Sequence, residues 1–130
     1  MFKKVDYVMI TVSDMNRSVK FYRDTLGIPL KFESPGWSEF ETGTTTLALH
    51  GGGKPAKQAS ASSVPADQEM AAGVCSIGFS VPDLVRSFRD LQSKGVRFVM
   101  PPTKREEERI FLAVLLDPDG MPISIAQPLS

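Results

Sequence analysis

Residues 5–22 read VDYVMITVSDMNRSVKFY, and residues 74–91 read VCSIGFSVPDLVRSFRDL, with the same order of apolar and polar side chains. Each stretch begins with alternating apolar residues, reaches an aspartate, and carries an Arg-Ser pair after two further residues. Self-similarity of this kind indicates that one structural unit occurs twice in the chain. These two copies decide the fold, and the remaining segments extend them.

Each copy predicts a half-buried strand followed by a helix. In the first copy two sets of residues alternate and are expected on opposite faces of a strand: Val8, Ile10 and Val12 on one, and Tyr7, Met9 and Thr11 on the other. Asp14 then stands where an N-cap is expected, and apolar residues recur at helical spacing until Gly27, which favours a helix end. Asp83 and Gly95 have the same places in the second copy.

Short strand-like runs follow each predicted helix. They lie at about 30–34, 38–42 and 45–50 in the first half and at about 96–100, 110–116 and 121–127 in the second. The tetrapeptide at 117–120, Asp-Pro-Asp-Gly, predicts a tight turn before the last of them, because proline presets φ and glycine accepts a positive φ. The chain therefore predicts an α+β fold of two tandem βαβββ modules.

The two modules are expected at residues 1–50 and 74–130 of a single domain that spans residues 1–130. The segment 51–73 between them is poor in large apolar residues and rich in Gly, Ser, Ala and Pro, which is typical of a linker. A lid over a site is the alternative interpretation of this segment. The mixed-charge run 104–109 is expected to be a solvated loop.

The composition excludes several classes of partner. The chain has 15 basic and 15 acidic side chains, so it lacks the cationic field that nucleic acid or an anionic membrane requires. It has no uninterrupted apolar stretch long enough for a membrane span and no signal-peptide pattern at its start, and we expect a cytoplasmic protein. The single cysteine, Cys75, cannot form an internal disulfide and is expected to be a buried structural thiol.

The duplicated unit resembles the vicinal oxygen chelate superfamily, which includes glyoxalase I, bleomycin resistance proteins, fosfomycin resistance enzymes and extradiol dioxygenases. The resemblance covers nearly the whole chain outside the linker, and it rests on these motifs: Asp14, Arg17-Ser18, Phe21-Tyr22, Leu26-Gly27 and the turn at 117–120. It implies that the curved mixed sheets of the two modules surround a cleft. One scaffold in this superfamily hosts isomerases, lyases, oxygenases and binding proteins, so the fold does not name an activity.

Catalytic members of the superfamily hold a divalent metal, usually through two histidines and two glutamates on the cleft face. The resemblance assigns these positions to Tyr7, Ala48, Ser76 and Ser124. A shift of register in the last strand of each module would bring in other residues: Thr46 or His50 in the first, and Ile123 or Ala126 in the second. A phenol, a methyl group and two hydroxyls do not make a site for a catalytic metal. We therefore expect no metal and no other cofactor.

The remaining candidates favour an apolar, aromatic-walled site. The predicted ligand-binding residues are Tyr7, Met9, Trp37, Phe40, His50, Ser76 and Ser124. Trp37 is either a wall of this site or a packing or subunit-interface residue, and His50 is either a general base or lone metal ligand or a strand-end residue. Glu39 and Glu41 share one strand face, as paired acids or as a solvated surface.

The leading hypothesis is a binding protein with a degenerate metal site, which sequesters a small apolar or aromatic organic molecule. We assign no catalytic residue, and we expect a homodimer, as is common among small members of the superfamily. One alternative is a metal-dependent lyase, isomerase or dioxygenase of the same superfamily, in particular a glyoxalase-like lyase or a dioxygenase. A second alternative is an interaction domain whose cleft is unused.

Overall fold

The structure is a computed structural model that describes residues 1–55, 72–73 and 75–129. It contains two compact units, Met1–Pro55 and Ala56–Ser130, called here the first and the second module. The elements of the first module are β1 (Tyr7–Thr11), α1 (Met15–Lys20), β2 (Leu30–Phe32), β3 (Trp37–Thr42) and β4 (Thr45–His50). Those of the second are β5 (Ile77–Ser80), α2 (Leu84–Ser93), β6 (Phe98–Arg105), β7 (Ile110–Leu116) and β8 (Pro122–Pro128).

Both modules have the same sheet topology. The strand order is β1-β4-β3-β2 in the first and β5-β8-β7-β6 in the second. In each module the first strand runs parallel to the last, and the other neighbours are antiparallel. The α+β class and the duplicated βαβββ order are therefore confirmed. The strand β6 reaches Arg105, so the predicted loop at 104–109 is shorter, and its first two residues belong to a strand.

The two helices begin as the aspartates predict. The carboxylate of Asp14 accepts a hydrogen bond from the Arg17 amide at 3.1 Å, and Asp83 accepts one from the Arg86 amide at 3.1 Å. After Lys20 the first helix continues as a π-helical turn over Phe21–Thr25. Gly27 follows this turn with a φ of 76°, a left-handed conformation that favours glycine.

The core of the first module lies between its sheet and its helix. Ile10 of β1 and Val12 just after it are buried, whereas Tyr7 and Met9 on the opposite face of the strand are 55% and 47% exposed. The helical residue Tyr22 is fully buried, with its ring centroid 5.9 Å from that of a phenylalanine in β3. The predicted alternation of faces in β1 is therefore confirmed.

The second module packs the same way but leaves its first strand less covered. Leu84 and Leu91 of α2 and the strand residues Leu115 and Ile123 are buried. The apolar residues of β5, Ile77 and Phe79, are only half-buried. Cys75 is exposed, so the prediction of a buried thiol was wrong. It precedes β5, whose pairing with β8 begins only at Ile77, and no ladder partner covers it.

The predicted turn before β8 is present and held by one carboxylate. Asp117 is buried, and its Oδ1 accepts hydrogen bonds from the amides of Asp119 and Met121, both at 2.9 Å. Gly120 completes the turn with a φ of 85°. These contacts satisfy the turn's backbone donors inside the protein, which fixes where the last strand starts.

The described residues contain no helix that is long and apolar enough to cross a membrane. Of the predicted linker 51–73, only 51–55 and 72–73 are among the described residues; the rest of this prediction lies outside them. The start of the predicted linker belongs to the first module. The Gly53 amide donates to the Val12 carbonyl oxygen at 3.0 Å, and a Cβ on Gly53 would lie 2.7 Å from the Thr11 side chain.

We predict that Phe40→Ala lowers the free energy of unfolding by about 3–5 kcal/mol, because it leaves a cavity between the sheet and Tyr22. Phe40 has no exposed surface, whereas Phe2 is 97% exposed and provides a matched control. Phe2→Ala is expected to change stability by about 0.5 kcal/mol or less. Denaturant unfolding measures both variants, and equal losses would contradict the assignment of the core face.

Candidate functional site

The candidate site is the face of the first module's sheet that points away from α1. The strand register brings Tyr7 opposite Thr46, and it brings Trp37 opposite His50. Ala48 lies between these pairs in the central strand β4. Because side chains on a strand alternate between faces, all five project from the same face of the sheet.

Three rings on this face contact one another edge to face. The ring centroids of Tyr7 and Trp37 are 5.8 Å apart with an interplanar angle of 75°, and those of Trp37 and His50 are 6.3 Å apart at 84°. Tyr7 is in β1 and Trp37 in β3, with β4 between them, so the two rings meet above the central strand. The side chain there is Ala48, whose methyl group leaves room for both rings and has no exposed surface.

A charged pair fixes the orientation of the indole. The Trp37 Nε1–H donates to Glu39 Oε2 at 2.8 Å, and the Lys31 ammonium lies 3.6 Å from the other oxygen of that carboxylate. Lys31 also donates to the hydroxyl of Thr46 at 2.8 Å. These contacts join β2, β3 and β4 on one face of the sheet.

The backbone around Trp37 is held as well. The Ser34 hydroxyl accepts a hydrogen bond from the Trp37 amide at 3.1 Å and donates to its carbonyl oxygen at 2.6 Å. The Gly51 amide donates to the Gly36 carbonyl oxygen at 3.0 Å. A Cβ on Gly51 would lie 2.4 Å from the Pro35 carbonyl oxygen, so this close approach requires glycine. The backbone that carries the indole is therefore held in place.

Of the predicted binding residues, the structure gathers Tyr7, Met9, Trp37 and His50 on this face. Phe40 is not among them, which corrects its assignment to the site. It is fully buried and packs against Tyr22 on the helix side. The period of two in β3 places residues 37, 39 and 41 together and Phe40 opposite, so the alternation in the sequence was enough to exclude it.

Ser76 and Ser124 belong to the second module. Ser76 is exposed and precedes β5. Ser124 is half-buried, and its hydroxyl donates to the Ile77 carbonyl oxygen at 3.4 Å. Gly78 is its ladder partner, and a Cβ there would lie 2.8 Å from the Ser124 Oγ. Ser76, Gly78 and Ser124 stand where the first module carries Tyr7, Met9 and Ala48.

The sheet register identifies the equivalent positions of the two modules. Met9 is paired with Ala48. Gly78 stands in the second copy where Met9 stands in the first, and it is paired with Ser124. Ala48 and Ser124 are thus structurally equivalent. The pairing makes His50 and Ala126 equivalent in the same way, because they are the partners of Thr11 and Ser80, so the register is compatible with both placements.

The residues that the resemblance assigns to the superfamily's metal-ligand positions do not fit a divalent metal. Ala48 offers no donor atom, Ser76 and Ser124 offer only neutral hydroxyls, and Tyr7 offers a phenol whose ring contacts Trp37. Catalytic zinc or iron needs about three imidazole, carboxylate or thiolate ligands. Within residues 1–55, 72–73 and 75–129, no group of three His, Cys, Asp or Glu side chains comes together that could hold a metal ion.

Sequence reasoning missed Lys31 and treated Glu39 only as an acid or a solvated residue. The alternation in β3 puts Glu39 beside Trp37, and this signal was present in the sequence. Lys31 lies in a strand whose pairing with β3 shifts register between Leu30 and Phe32. Its approach to Glu39 depends on that irregularity, and the sequence contains no clear signal for it.

Comparison with known proteins agrees with this architecture. The pattern that defines the glyoxalase/bleomycin resistance protein/dioxygenase superfamily matches residues 4–125. An uncharacterized protein of Bacillus subtilis, YraH, is 27% identical over 132 residues, which cover 97% of this chain and 99% of that protein. A probable lactoylglutathione lyase of Synechocystis is 27% identical over 128 residues, with 95% of each chain covered.

A solved structure shows the same fold at lower identity. The glyoxalase/bleomycin resistance protein/dioxygenase from Alicyclobacillus acidocaldarius has a TM-score of 0.68 and 16% identity, over 98% of this chain and 92% of that one. The family match covers nearly all of the chain, and the duplicated βαβββ topology agrees with it. This chain therefore belongs to the glyoxalase/bleomycin resistance protein/dioxygenase superfamily.

Proposed function

We propose that this chain is a binding protein of the superfamily whose metal site is degenerate, and that it sequesters a small apolar or aromatic molecule. The observation that carries the proposal is the row of Tyr7, Trp37 and His50 rings on the face of the first sheet. Tyr7 and Met9 are about half exposed there, which leaves apolar surface for a ligand to cover. Ser76 and Ser124 remain candidates for ligand contact on the equivalent face of the second module.

The arrangement favours binding because the aromatic surface is organised in advance. The indole of Trp37 is held by Glu39, and its backbone is held by Ser34. A ligand therefore does not have to order these groups when it binds, and less of the contact energy is lost as entropy. Flat rings offer large contact areas, and aromatic pairing contributes about 0.5–1.5 kcal/mol beyond the burial of apolar area.

The side chains at the expected metal-ligand positions argue against the metal-dependent alternative. A lyase, isomerase or dioxygenase of this superfamily uses its metal to stabilise negative charge or to activate oxygen. The residues at Tyr7, Ala48, Ser76 and Ser124 lack the imidazoles and carboxylates that would hold such an ion. The name of the Synechocystis relative describes that protein and does not supply these ligands to this chain.

Homodimer formation is the second part of the proposal. Small members of this superfamily commonly form homodimers, and Val5 and Phe32 are large apolar residues that are 60% and 54% exposed in the single chain. Exposed apolar surface of this kind often marks a protein interface.

We predict a species of twice the 14.2 kDa chain mass in sedimentation at micromolar concentration. A single species of the chain mass would contradict this.

We predict that a neutral aromatic probe, tert-butylbenzene, changes the emission of the only tryptophan and raises the melting temperature. Trp37→Ala has no tryptophan, so its affinity is measured by the shift in melting temperature; we expect binding to weaken at least about threefold, because the loss includes the aromatic pairing energy. The control is Phe2→Ala, which removes an aromatic ring that is 97% exposed and lies outside the row of rings.

Three outcomes would overturn the binding role. If Trp37→Ala and Phe2→Ala have equal effects, the binding is non-specific. If no apolar compound in a broader panel changes the melting temperature, the interaction-domain alternative gains support. A fall in stability or loss of the dimer in Trp37→Ala, with affinity unchanged, would identify Trp37 as a packing residue.

We predict that zinc, nickel and manganese ions do not bind stoichiometrically to the protein purified without a histidine tag. Calorimetric titration of each ion measures this, and His50→Ala is the variant that removes the only imidazole. One ion bound per chain and lost in His50→Ala would contradict the degenerate-site proposal. It would favour the metal-dependent alternative instead.

A further inference from the structure

The face that carries the aromatic row also carries an excess of negative charge. In strand β3, Glu39 and Glu41 follow Trp37 at alternate positions and share its face. The strands β1 to β4 contribute a single ammonium group to this face, that of Lys31. The lysine and the two glutamates of these strands on this face sum to one net negative charge.

Glu41 stands in the same row of the sheet as Tyr7. The register pairs Glu41 with Thr46 on one side of β4 and Tyr7 with Thr46 on the other. Glu39 stands in the next row, opposite Ala48. The two carboxylates therefore border the aromatic contact between Tyr7 and Trp37 along one side.

Glu39 is positioned and still accessible. One of its oxygens accepts the Trp37 indole N–H, and the other faces the Lys31 ammonium at 3.6 Å. Its side chain retains 32% of its accessible surface. A carboxylate has about four lone-pair sites, so these two contacts leave capacity for a further donor. Lys31 is already committed to Glu39 and to the Thr46 hydroxyl.

The aromatic rings also attract cations. The face of an aromatic ring carries negative electrostatic potential, and a cation within about 6 Å of the ring centroid is attracted to it. Tyr7 is 55% exposed, and Trp37 retains part of its surface. A cation near these rings would be close to the Glu39 carboxylate and would also meet the Lys31 ammonium, which is paired with Glu39 and bonded to Thr46. The face carries two carboxylates and one ammonium, so its net charge attracts a cation and repels an anion.

We infer that the ligand of this site is an organic cation, a quaternary or protonated amine attached to an apolar or aromatic body. The cationic group lies against the Tyr7 ring and beside Glu39, and the apolar body covers Trp37 and Met9. This inference rests on the proposed binding function and adds the charge of the ligand. Charge complementarity selects this class over neutral and anionic aromatic molecules of the same size.

Three probes of similar size and different charge test the inference: phenyltrimethylammonium, its neutral isostere tert-butylbenzene, and benzenesulfonate. Tryptophan emission reports the affinity of each probe for the full chain. We expect phenyltrimethylammonium to bind about five- to tenfold more tightly than the neutral isostere, and benzenesulfonate to bind least. The preference for the cation should fall as salt is added, since the charges are partly exposed.

Glu39→Gln is the decisive variant, because glutamine keeps an oxygen that can accept the Trp37 indole N–H while the charge is lost. We expect it to weaken phenyltrimethylammonium binding about five- to tenfold more than it weakens tert-butylbenzene binding. Glu33→Gln is the control, since it removes the same charge from the same module at a residue outside strands β1 to β4. It should change neither affinity.

The outcomes distinguish an error in the charge of the ligand from an error in the proposed binding function. If both tert-butylbenzene and the cation bind but with equal affinity, the inference is wrong and the binding function stands. If Glu39→Gln and Glu33→Gln weaken binding of the cation equally, the role assigned to Glu39 is wrong. If none of the probes binds, the proposed function fails as well. If Glu39→Gln does not fold, the salt dependence of the native protein decides: a cation affinity that salt leaves unchanged overturns the inference.

Discussion

The parallel pairing of β1 with β4 is the interaction on which the rest of the first module depends. It brings the first strand of the module beside the last, so that Tyr7 and Trp37 stand on either side of one central strand. Backbone hydrogen bonds beyond the ladder extend the pairing, from the Thr46 amide to the Asp6 carbonyl and from the Val12 amide to the His50 carbonyl. A shift of β1 by one residue would turn Tyr7 and Met9 into the core.

The duplication shows that this backbone does not impose one chemistry. The same register presents Met9 beside Ala48 in the first module and Gly78 beside Ser124 in the second. In the first module the rings of Tyr7 and Trp37 meet above Ala48, whereas Gly78 and Ser124 of the second module are small residues. Function in this superfamily therefore follows from the side chains on each sheet face, and the shared fold alone could not identify it.

The sequence was sufficient for the fold because the relevant signals are local. Asp14 and Asp83 cap helices, Gly120 closes a turn, and strand alternation separates the faces of β1. The site was only partly predictable because its contacts join separate strands. The contact between Trp37 and Glu39 follows from alternation within β3, but the approach of Lys31 depends on an irregular pairing between β2 and β3. The exposure of Cys75 depends on where pairing with β8 begins.

The proposed function requires that a ligand binds to the aromatic face of the first module rather than elsewhere on the chain. The indole N–H of Trp37 tests it most directly by NMR, because the chain has one tryptophan and this proton is bonded to Glu39. Titration with phenyltrimethylammonium should shift this single indole resonance together with the amide resonances of β1 and β4, with one common affinity. An unchanged indole resonance, with saturable shifts confined to other parts of the chain, would contradict the account.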